Sequence, residues 1–250
     1  MEKERLQKVI ANLGYCSRRK AEELILAGEV KVNDEVVSQL GFKCYPTDKI
    51  AIDDKIINNQ NEQLVYYILN KPKYYICTAS DPQNRKTIFE LLPKDEGRLF
   101  SAGRLDYESS GLIIVTNDGE FANLITHPST SLEKEYIVVC KNTSFGNEEK
   151  KLKEGLYVTR RGYKARPCEC KLLDDNIEDN TSTYSIILHE GKKRQIRDMM
   201  MTLHHPVISL TRIRVGSLTL GRLKEKEYTS IDLNTINAIK EECRKNKSSN

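Results

Sequence analysis

The chain has 250 residues and a formal net charge of +4, with 38% hydrophobic and 30% charged residues. This composition is typical of a globular protein and excludes a chain that is disordered throughout. The longest apolar runs, at 64–69 and 111–115, are far too short to span a membrane, and no apolar segment of an export signal follows the charged start. We therefore expect a cytoplasmic protein without membrane contact.

The cysteine pattern bears on disulfides and metal sites, and the charge pattern bears on the kind of partner. The seven cysteines are irregularly spaced, and the only close pair, Cys168 and Cys170, is tighter than the pairs of zinc motifs. We expect reduced thiols and no metal. Residues 1–60 hold ten basic and ten acidic residues, whereas residues 160–222 hold twelve basic and seven acidic ones. This uneven distribution favours an anionic partner.

Residues 1–60 are predicted to form a small α/β domain. A first helix is predicted to end at Gly14, from the helical spacing of Leu6, Val9, Ile10 and Leu13. A second helix is predicted from the cap Ser17 to Gly28. Residues 30–37 predict a hairpin with a turn at Asn33-Asp34, and residues 50–57 predict a second strand pair. The polar residues 58–61 are predicted to be a linker.

Three consecutive cations, Arg18, Arg19 and Lys20, open the second predicted helix. Helix N-termini present free amide groups, so cations beside them suit phosphates, although such a run also occurs as a solvated face. With residues 6–11 before it and 28–33 after it, the unit resembles the alpha-L RNA-binding domain of many RNA-modifying enzymes. The resemblance implies that these three residues bind RNA.

From residue 63 to 232 the sequence alternates predicted strands and short helices. The predicted strands span 64–69, 74–78, 112–116, 135–140, 157–158, 168–172, 184–189 and 208–215. The predicted helices span 88–92, 120–126, 147–154 and 195–204. Strands outnumber helices, so we expect an α+β domain with a mixed, mostly antiparallel sheet. Residues 233–250 are expected to be a charged C-terminal tail, which we expect to fray from Ile239 on.

The candidate chemistry lies in polar groups at the ends of apolar strands. The sequence holds neither type of nucleotide-binding glycine motif, nor the Gly-x-Ser-x-Gly elbow of one hydrolase class. The run Gly103-Arg104-Leu105-Asp106 lies in a loop that enters a buried strand, and such loops often carry reactive groups. An isolated loop aspartate is more often a turn residue, so Asp106 gains weight only from the whole string.

Two further strings carry candidate site residues. In Lys134-Glu135-Tyr136 a tyrosine stands among charges at a strand start, where packing is the commoner role. In residues 191–197 a basic turn leads into a helix on which Arg194 and Arg197 would project from the same side. A solvated basic face is the alternative for that turn. The candidates for contacts with backbone phosphates are Lys192, Lys193, Arg194, Arg212 and Arg214.

Taken together, these strings resemble the pseudouridine synthases that modify small- and large-subunit ribosomal RNA. Asn70-Lys71-Pro72 is similar to that family's opening motif, and residues 218–223 are similar to its closing motif. The resemblance runs from about residue 63 to 231, and this branch also carries the alpha-L domain. It implies the pseudouridine synthase fold for the second domain.

The resemblance implies a role for each matching residue. Asp106 matches the essential aspartate, Tyr136 the tyrosine that stacks on the target base, and Arg197 the arginine that pairs with the aspartate. Ile196 would line the base pocket, and Arg104 would help to hold the extruded nucleotide.

The implied reaction requires a carboxylate and no cofactor. Converting uridine to pseudouridine breaks the bond from ribose to the ring nitrogen, turns the base and forms a bond to carbon-5. No atom is gained or lost and no redox change occurs, so we expect no cofactor. The reaction needs a carboxylate, and the sequence leaves open whether Asp106 acts as a base or as a nucleophile. The target must leave its stack to reach a buried aspartate, so base flipping is expected.

We expect the loops at 80–86 and 142–149 to contact bases around the modified uridine. The basic turn and the N-terminal unit resemble those of the large-subunit enzymes more than those of the small-subunit one, which implies a large-subunit target. We expect ribosomal RNA or a pre-ribosomal particle as the partner, and a monomeric enzyme. Tyr74 and His204 depart from the family pattern, because both stand where the permissive backbone of glycine is usual.

Two other functions fit parts of the sequence. A ribosome-assembly or RNA-binding factor could keep this fold without activity, but it would not need Asp106, Tyr136 and Arg197 together. A glycoside-type hydrolase could use Asp106 and Glu108 as its carboxylate pair, and spacing alone does not exclude this. The basic N-terminal unit and the lack of tryptophan favour RNA over a sugar substrate.

Overall fold

The computed structural model describes residues 2–57 and 63–248. These residues divide into two units. The first runs to Val65 and includes Pro93–Phe100 and Asn117–Gly119, and the second comprises the other described residues. The predicted linker at 58–61 lies outside the described residues. In the described ranges, no helix has both the length and the apolar composition required to cross a membrane.

The first unit contains two short helices and small antiparallel sheets. Its helices are α1 (Leu6–Asn12) and α2 (Arg18–Leu26), and its strands are β1 (Glu4–Arg5), β2 (Val30–Val32), β3 (Glu35–Val36), β4 (Lys43–Cys44), β5 (Ile50–Ile52) and β6 (Lys55–Ile57). One sheet has the strand order β3-β2-β5-β6, and β1 pairs with β4. The helices and the larger sheet share a core that includes Leu6, Ile10, Ile25, Ile50 and Ile52.

The local signals of this unit act as predicted. Ser17 Oγ accepts a hydrogen bond from the backbone N–H of Lys20 at 3.0 Å, which caps α2. Asn33 and Asp34 both have a left-handed backbone, with φ of 51° and 71°, as a tight hairpin turn requires. The two predicted helices and both predicted strand pairs are confirmed.

Most elements after residue 65 belong to one large sheet and its connecting helices. The strands are β7 (Tyr66–Lys71), β8 (Phe100–Ala102), β9 (Ser110–Thr116), β10 (Lys134–Lys141), β11 (Tyr157–Val158), β12 (Tyr163–Lys164), β13 (Glu169–Asn176), β14 (Thr181–Leu188), β15 (Val207–Val215), β16 (Leu218–Thr219) and β17 (Tyr228–Ser230). The helices are α3 (Gly119–Thr126), α4 (Glu148–Glu154), α5 (Gln195–Thr202) and α6 (Leu233–Ser248). Short 3-10 turns lie at Ile88–Leu91, Pro128–Thr130 and Thr159–Arg161.

Within the described residues, nine strands form this sheet, in the order β13-β14-β10-β15-β9-β7-β17 with β16 beside β15 and β8 beside β9. β10 pairs antiparallel with β14 and β15, and β7 pairs antiparallel with β9 and β17. β9 and β15 run parallel. The predicted α+β class with a mixed, mostly antiparallel sheet is confirmed. The parallel pair brings together segments that are far apart in the sequence.

The segment after β7 differs from the prediction. Residues 74–78, predicted as a strand, form a loop with a single bridge between Ile76 and Thr87. Tyr74 has a left-handed backbone, with φ of +67°, which is incompatible with an extended strand that starts at this residue. Residues 88–92, predicted as a helix, form only a 3-10 turn.

The C-terminal segment is the largest correction. The sequence predicts a charged tail that frays, whereas the structure has the helix α6. Ile236, Ile239 and Cys243 are buried at helical spacing, and α6 contacts the 3-10 turn at Pro128–Thr130. The charged residues 240–242 obscure the apolar pattern in the sequence, and burial of that narrow face stabilises the helix.

A buried pair holds the loop that follows β10. Glu148 Oε1 lies 2.8 Å from Nε2 of His205, and both side chains are almost fully buried. The other ring nitrogen of His205 faces the Lys141 carbonyl at 3.2 Å, so both ring nitrogens have a polar partner. Glu148 also accepts hydrogen bonds from Ser144 Oγ and the Phe145 N–H. Burial alone raises the pKa of Glu148, but these hydrogen bonds outweigh burial and lower the pKa to about 2.

We expect Glu148→Gln to lower the free energy of unfolding by about 2–3 kcal/mol near neutral pH, because His205 loses its charged partner. A carboxyl whose pKa is depressed from 4.5 to about 2 contributes its full stability above pH 4.5 and loses it as the pH falls toward 2. Urea unfolding of both proteins across this pH range should therefore show the difference between them shrinking in acid.

The matched control is Glu154→Gln, because Glu154 lies on the same helix and is exposed. Equal losses for the two variants, or a loss that does not depend on pH, would contradict the role given to the buried pair.

Candidate active site

The sheet places Tyr136 in line with the loop that carries Asp106. Tyr136 on β10 is the register partner of Arg212 on β15, and Arg212 is the register partner of Gly111 on β9. Neighbouring strands are about 4.8 Å apart, so this row spans about 10 Å from β10 to the start of β9. Asp106 lies in the loop between β8 and β9, just before this start. The row therefore joins two segments that the sequence separates.

Gly111 permits the close approach of β9 and β15 in this row. Its φ is +104°, and a Cβ there would lie 2.2 Å from the carbonyl oxygen of Arg212. A side chain does not fit at that distance, so the parallel pairing requires glycine. The Ser110 hydroxyl lies 2.9 Å from that of Thr211 and fixes the register beside it.

Residues 105–109, here called the aspartate loop, are held by a hydrogen bond at each carbonyl group. The Leu105 carbonyl accepts from Cys77 Sγ (3.5 Å), the Asp106 carbonyl from the Ser109 N–H (3.0 Å) and the Tyr107 carbonyl from the Tyr74 N–H (2.7 Å). The Glu108 carbonyl accepts from Nη2 of Arg197 (3.1 Å), and the Ser109 carbonyl accepts from Nζ of Lys71 (2.7 Å). Most of these donors lie outside the loop, so tertiary structure sets its conformation. A backbone held in this way positions the Asp106 side chain before substrate binds.

Arg197 does not take the position that the resemblance implies. Among the described residues, no side-chain hydrogen bond or ion pair joins Arg197 to Asp106. Its Nη2 instead lies 3.1 Å from the Glu108 carbonyl and 3.5 Å from the Ser109 hydroxyl. Burial and the charge of Arg194 lower the pKa of Arg197, whereas the charge of Asp106 raises it. Arg197 therefore holds the loop backbone and interacts with the aspartate only at longer range.

Most predicted site residues line one cavity of about 880 Å³, a volume typical of small-molecule sites. Asp106 is half-buried in its wall, and Tyr136 is 9% exposed. The other predicted residues in the lining are Arg104, Ile196, Lys192, Lys193, Arg194 and Arg212. Arg197 lies outside the lining drawn from the described residues.

Two lysines near the cavity, the buried Lys71 and the half-buried Lys134, received no role from the sequence. Lys71 is fully buried and donates to the Ser109 carbonyl, and Lys134 lines the cavity and donates to the Leu132 carbonyl at 3.0 Å. Burial lowers the pKa of both lysines to about 8, and for Lys134 the neighbouring charge of Arg212 adds to this. Lys71 belongs to the motif Asn70-Lys71-Pro72 and Lys134 to Lys134-Glu135-Tyr136. The sequence of a motif does not show how far its lysine is withdrawn from solvent.

Arg212 and Arg214, the two remaining predicted phosphate contacts, both have partners within the protein. Nε of Arg212 is buried and donates to the Leu112 carbonyl at 2.8 Å. Arg214 forms ion pairs with Glu133 and Glu135 at 2.9 and 2.8 Å. Both guanidinium groups are therefore engaged within the protein.

The basic turn before α5 faces the cavity. Nζ of Lys192 lies 3.9 Å from the ring centroid of Tyr163, Lys193 is exposed, and Arg194 pairs with Glu108 at 3.2 Å. Arg194 and Arg197 thus reach the same aspartate loop, as their spacing predicts. In the first unit, the three predicted RNA-binding residues at the start of α2 are all exposed: Arg18, Arg19 and Lys20.

The two positions where glycine is usual both have a left-handed backbone. φ is +67° at Tyr74 and +66° at His204. This region of backbone space favours glycine, so each side chain is held against a steric cost. The His204 carbonyl accepts a hydrogen bond from the Asn142 side chain at 2.8 Å, and the Tyr74 N–H donates to the aspartate loop.

Comparison with known proteins agrees with this geometry. A family model described as RNA pseudouridylate synthase matches residues 65–202, and a model of the S4 domain matches residues 4–50. The second match covers the residues that resemble the alpha-L RNA-binding domain.

Relatives match over nearly the whole chain. The "Ribosomal large subunit pseudouridine synthase B" of Bacillus subtilis is 38% identical, over 94% of this chain and 96% of the relative. An "Uncharacterized RNA pseudouridine synthase" of Aquifex aeolicus is 37% identical, over 91% and 90% of the two chains. A crystal structure described as a pseudouridylate synthase has a TM-score of 0.68 and 29% identity, and the match covers 93% of this chain and 98% of that one. The chain therefore belongs to the RNA pseudouridylate synthase family, carries an S4 domain in its N-terminal region, and is a pseudouridine synthase, an isomerase.

Proposed function

We propose that this enzyme converts one specific uridine of large-subunit ribosomal RNA into pseudouridine, with Asp106 as its catalytic carboxylate. The observation that carries the proposal is the shared cavity, whose lining includes Asp106, Tyr136 and Ile196. The Bacillus subtilis relative is named for the large ribosomal subunit, which supports the same substrate class here.

The reaction defines what Asp106 has to do. The bond from ribose C1′ to uracil N1 breaks, the base turns, and a bond from C1′ to C5 forms. C5 loses a proton and N1 gains one, so atoms and charge balance without a cofactor. Asp106 serves either as a nucleophile toward sugar or base, or as the base at the sugar, and both roles need a carboxylate at the cavity wall.

Tyr136 provides the surface for the target base. A base that stacks on an aromatic ring gains about 1–3 kcal/mol. Tyr136 is almost fully buried, so a uridine within an RNA helix does not reach it. The target nucleotide therefore leaves its stack and enters the cavity, where Ile196 lines the same space.

Cations around the cavity and on the S4 domain contribute the grip on RNA. At the cavity these are Arg104, Lys192 and Lys193, and on the S4 domain they are Arg18, Arg19 and Lys20. Contacts of this kind bind phosphates without reading sequence, and they weaken as salt is added.

The expected lack of a cofactor follows from an isomerisation without redox change, and the expected lack of a metal follows from the spacing of the cysteines and histidines. In the part of the chain that the structure describes, no group of three or more His, Cys, Asp or Glu side chains is arranged to hold a metal ion. The monomeric state and the cytoplasmic location stay predictions.

The two alternatives have less support. A binding factor without activity needs no cavity that joins Asp106 to Tyr136. A glycoside-type hydrolase would need Glu108 as its second carboxylate. Glu108 is exposed, pairs with Arg194 at 3.2 Å, and lies outside the cavity lining of the described residues.

We expect Asp106→Asn to lower pseudouridine formation by on the order of 10⁴-fold or more, because the carboxylate takes part in the reaction. RNA affinity should change by less than about threefold, since Asp106 is not a phosphate contact. The measurement is pseudouridine mapping of ribosomal RNA incubated with each protein, together with the dissociation constant for the same RNA. Wild-type protein in this assay also gives the modified position.

Glu108→Gln is the control, because it removes the neighbouring carboxylate and should retain activity. Isomerisation by Asp106→Asn would overturn the assignment. Loss of activity in Glu108→Gln that equals the loss in Asp106→Asn would revive the two-carboxylate alternative.

We expect Arg197→Lys to lower kcat by about 10²-fold with little change in KM, because lysine cannot hold the aspartate loop with a planar fork and small shifts of a catalytic group are costly. Arg161→Lys is the matched control, since Arg161 pairs with Asp198 of the same helix at 2.8 Å and lies outside the cavity lining of the described residues. Single-turnover rates that are equal for both variants would refute the positioning role.

A further inference from the structure

An aromatic and cationic cluster stands beside the active site without a role in the reaction above. Tyr107 follows Asp106 directly, lines the cavity and is 40% exposed. Tyr74 packs against it edge-on, with ring centroids 5.4 Å apart and planes at 61°. The guanidinium carbon of Arg85 lies 5.9 Å from the Tyr107 ring centroid. Arg85 belongs to the cavity lining of the described residues and Tyr74 does not, so the cluster extends from the cavity onto the surface outside it.

The orientation of Arg85 is fixed by its own loop. Its Nε and Nη2 donate to the two carboxylate oxygens of Asp81 at 2.9 and 2.8 Å. The Asp81 side chain is 5% exposed and also accepts from the Arg85 N–H at 3.0 Å. The base of the loop is closed by hydrogen bonds from Ile76 to Lys86 and from Ile88 to Ile76. A guanidinium that is paired along its edge presents its flat face, on which nucleobases stack.

The ring of Tyr74 is not explained by the needs of the fold. Its backbone has a φ of +67°, a region that glycine adopts freely and tyrosine adopts under strain. The ring is 60% exposed, so burial offsets little of that strain. The hydrogen bond from its N–H to the Tyr107 carbonyl could be made by any residue except proline. A strained position that carries a large exposed ring next to a catalytic carboxylate indicates a binding surface.

We propose that Tyr74, Tyr107 and Arg85 form a stacking platform for the nucleobase adjacent to the target uridine in the RNA strand. The inference rests on the proposed function, because it requires the target to enter the cavity. A nucleotide that flips into the cavity leaves its neighbour at the rim without a stacking partner. The platform begins at that rim, one residue from Asp106. Its two rings and its guanidinium plane replace the stacking partner that the neighbouring base has lost.

The surrounding charge selects the kind of partner. Arg104, Lys192 and Lys193 belong to the same cavity lining as Tyr107 and Arg85. A cationic surface with exposed aromatic rings suits single-stranded RNA, in which phosphates alternate with stacking bases. Stacking uses the face of a base and not its edge, so the platform responds to the presence of a flanking base more than to its identity.

The test uses an RNA fragment that contains the mapped target uridine, in versions that each lack one of the flanking bases. Pseudouridine formation is measured for wild type, Tyr74→Leu and Tyr74→Phe, and RNA affinity is measured for the same substitutions in the Asp106→Asn protein. Leucine and phenylalanine carry a side chain on the same left-handed backbone, so their difference isolates the ring. Tyr157→Leu is the control, because Tyr157 is 56% exposed and lies outside the cavity lining of the described residues.

We expect wild type to lose about tenfold in kcat/KM and affinity when one particular flanking base is missing. Tyr74→Leu should lose about the same factor on intact RNA and lose nothing further on that abasic RNA, because the two changes remove one interaction. Tyr74→Phe and Tyr157→Leu should stay near wild type.

A second variant separates binding from folding. Tyr74→Gly removes the ring and relieves the backbone strain, so its thermal unfolding midpoint should rise while its RNA affinity falls as in Tyr74→Leu. The platform is refuted if Tyr74→Leu and Tyr74→Gly bind intact RNA like wild type, or if their losses multiply with the abasic loss at every flanking position. A different result would refute the proposed function, namely the absence of pseudouridine in RNA treated with wild-type protein.

Discussion

The candidate active site of this protein depends on one constraint, a hydrogen-bond donor for every backbone carbonyl in the five-residue aspartate loop. Free carbonyls in a half-buried loop would be costly, and each finds a donor from another segment or from the loop's own turn. Lys71 and Arg197 supply two of these donors with charged side chains, which makes the hydrogen bonds stronger than neutral ones. Lys71 and Arg197 therefore bind backbone carbonyls and fix the conformation of the loop that carries Asp106.

The sheet supplies the second half of the site. Tyr136 and the aspartate loop meet because β15 lies between β10 and β9, with Arg212 as the shared register partner. The parallel pairing of β9 with β15 requires glycine at Gly111, where a Cβ would collide with the neighbouring backbone. A single small residue therefore sets how near the aspartate loop approaches the strand that carries Tyr136.

Local patterns predicted the parts of this protein whose structure is decided locally. The cap at Ser17, the hairpin turn at Asn33-Asp34 and most strands of the large sheet follow from residue type and spacing over a few positions. The helix α6 was missed because its buried face is narrow and surrounded by charge. The loop at Tyr74 was predicted as a strand because its apolar residue types do not show that the backbone is left-handed there. The hydrogen bond from the Tyr74 N–H to the aspartate loop stabilises that conformation.

The sequence by itself determined the family, the α+β class and some of the residues that line the cavity, such as Asp106, Tyr136 and Ile196, because these are carried by ordered motifs and by hydrophobic periodicity. Only the tertiary structure decided what the cations do. Arg197 binds carbonyls and not Asp106, Arg214 is paired with two glutamates, and Lys71 is buried. The reason is physical: a charged side chain looks the same in a sequence whether its partner is a carboxylate, a carbonyl or a phosphate. Its partner is chosen by strands and loops that come from distant parts of the chain.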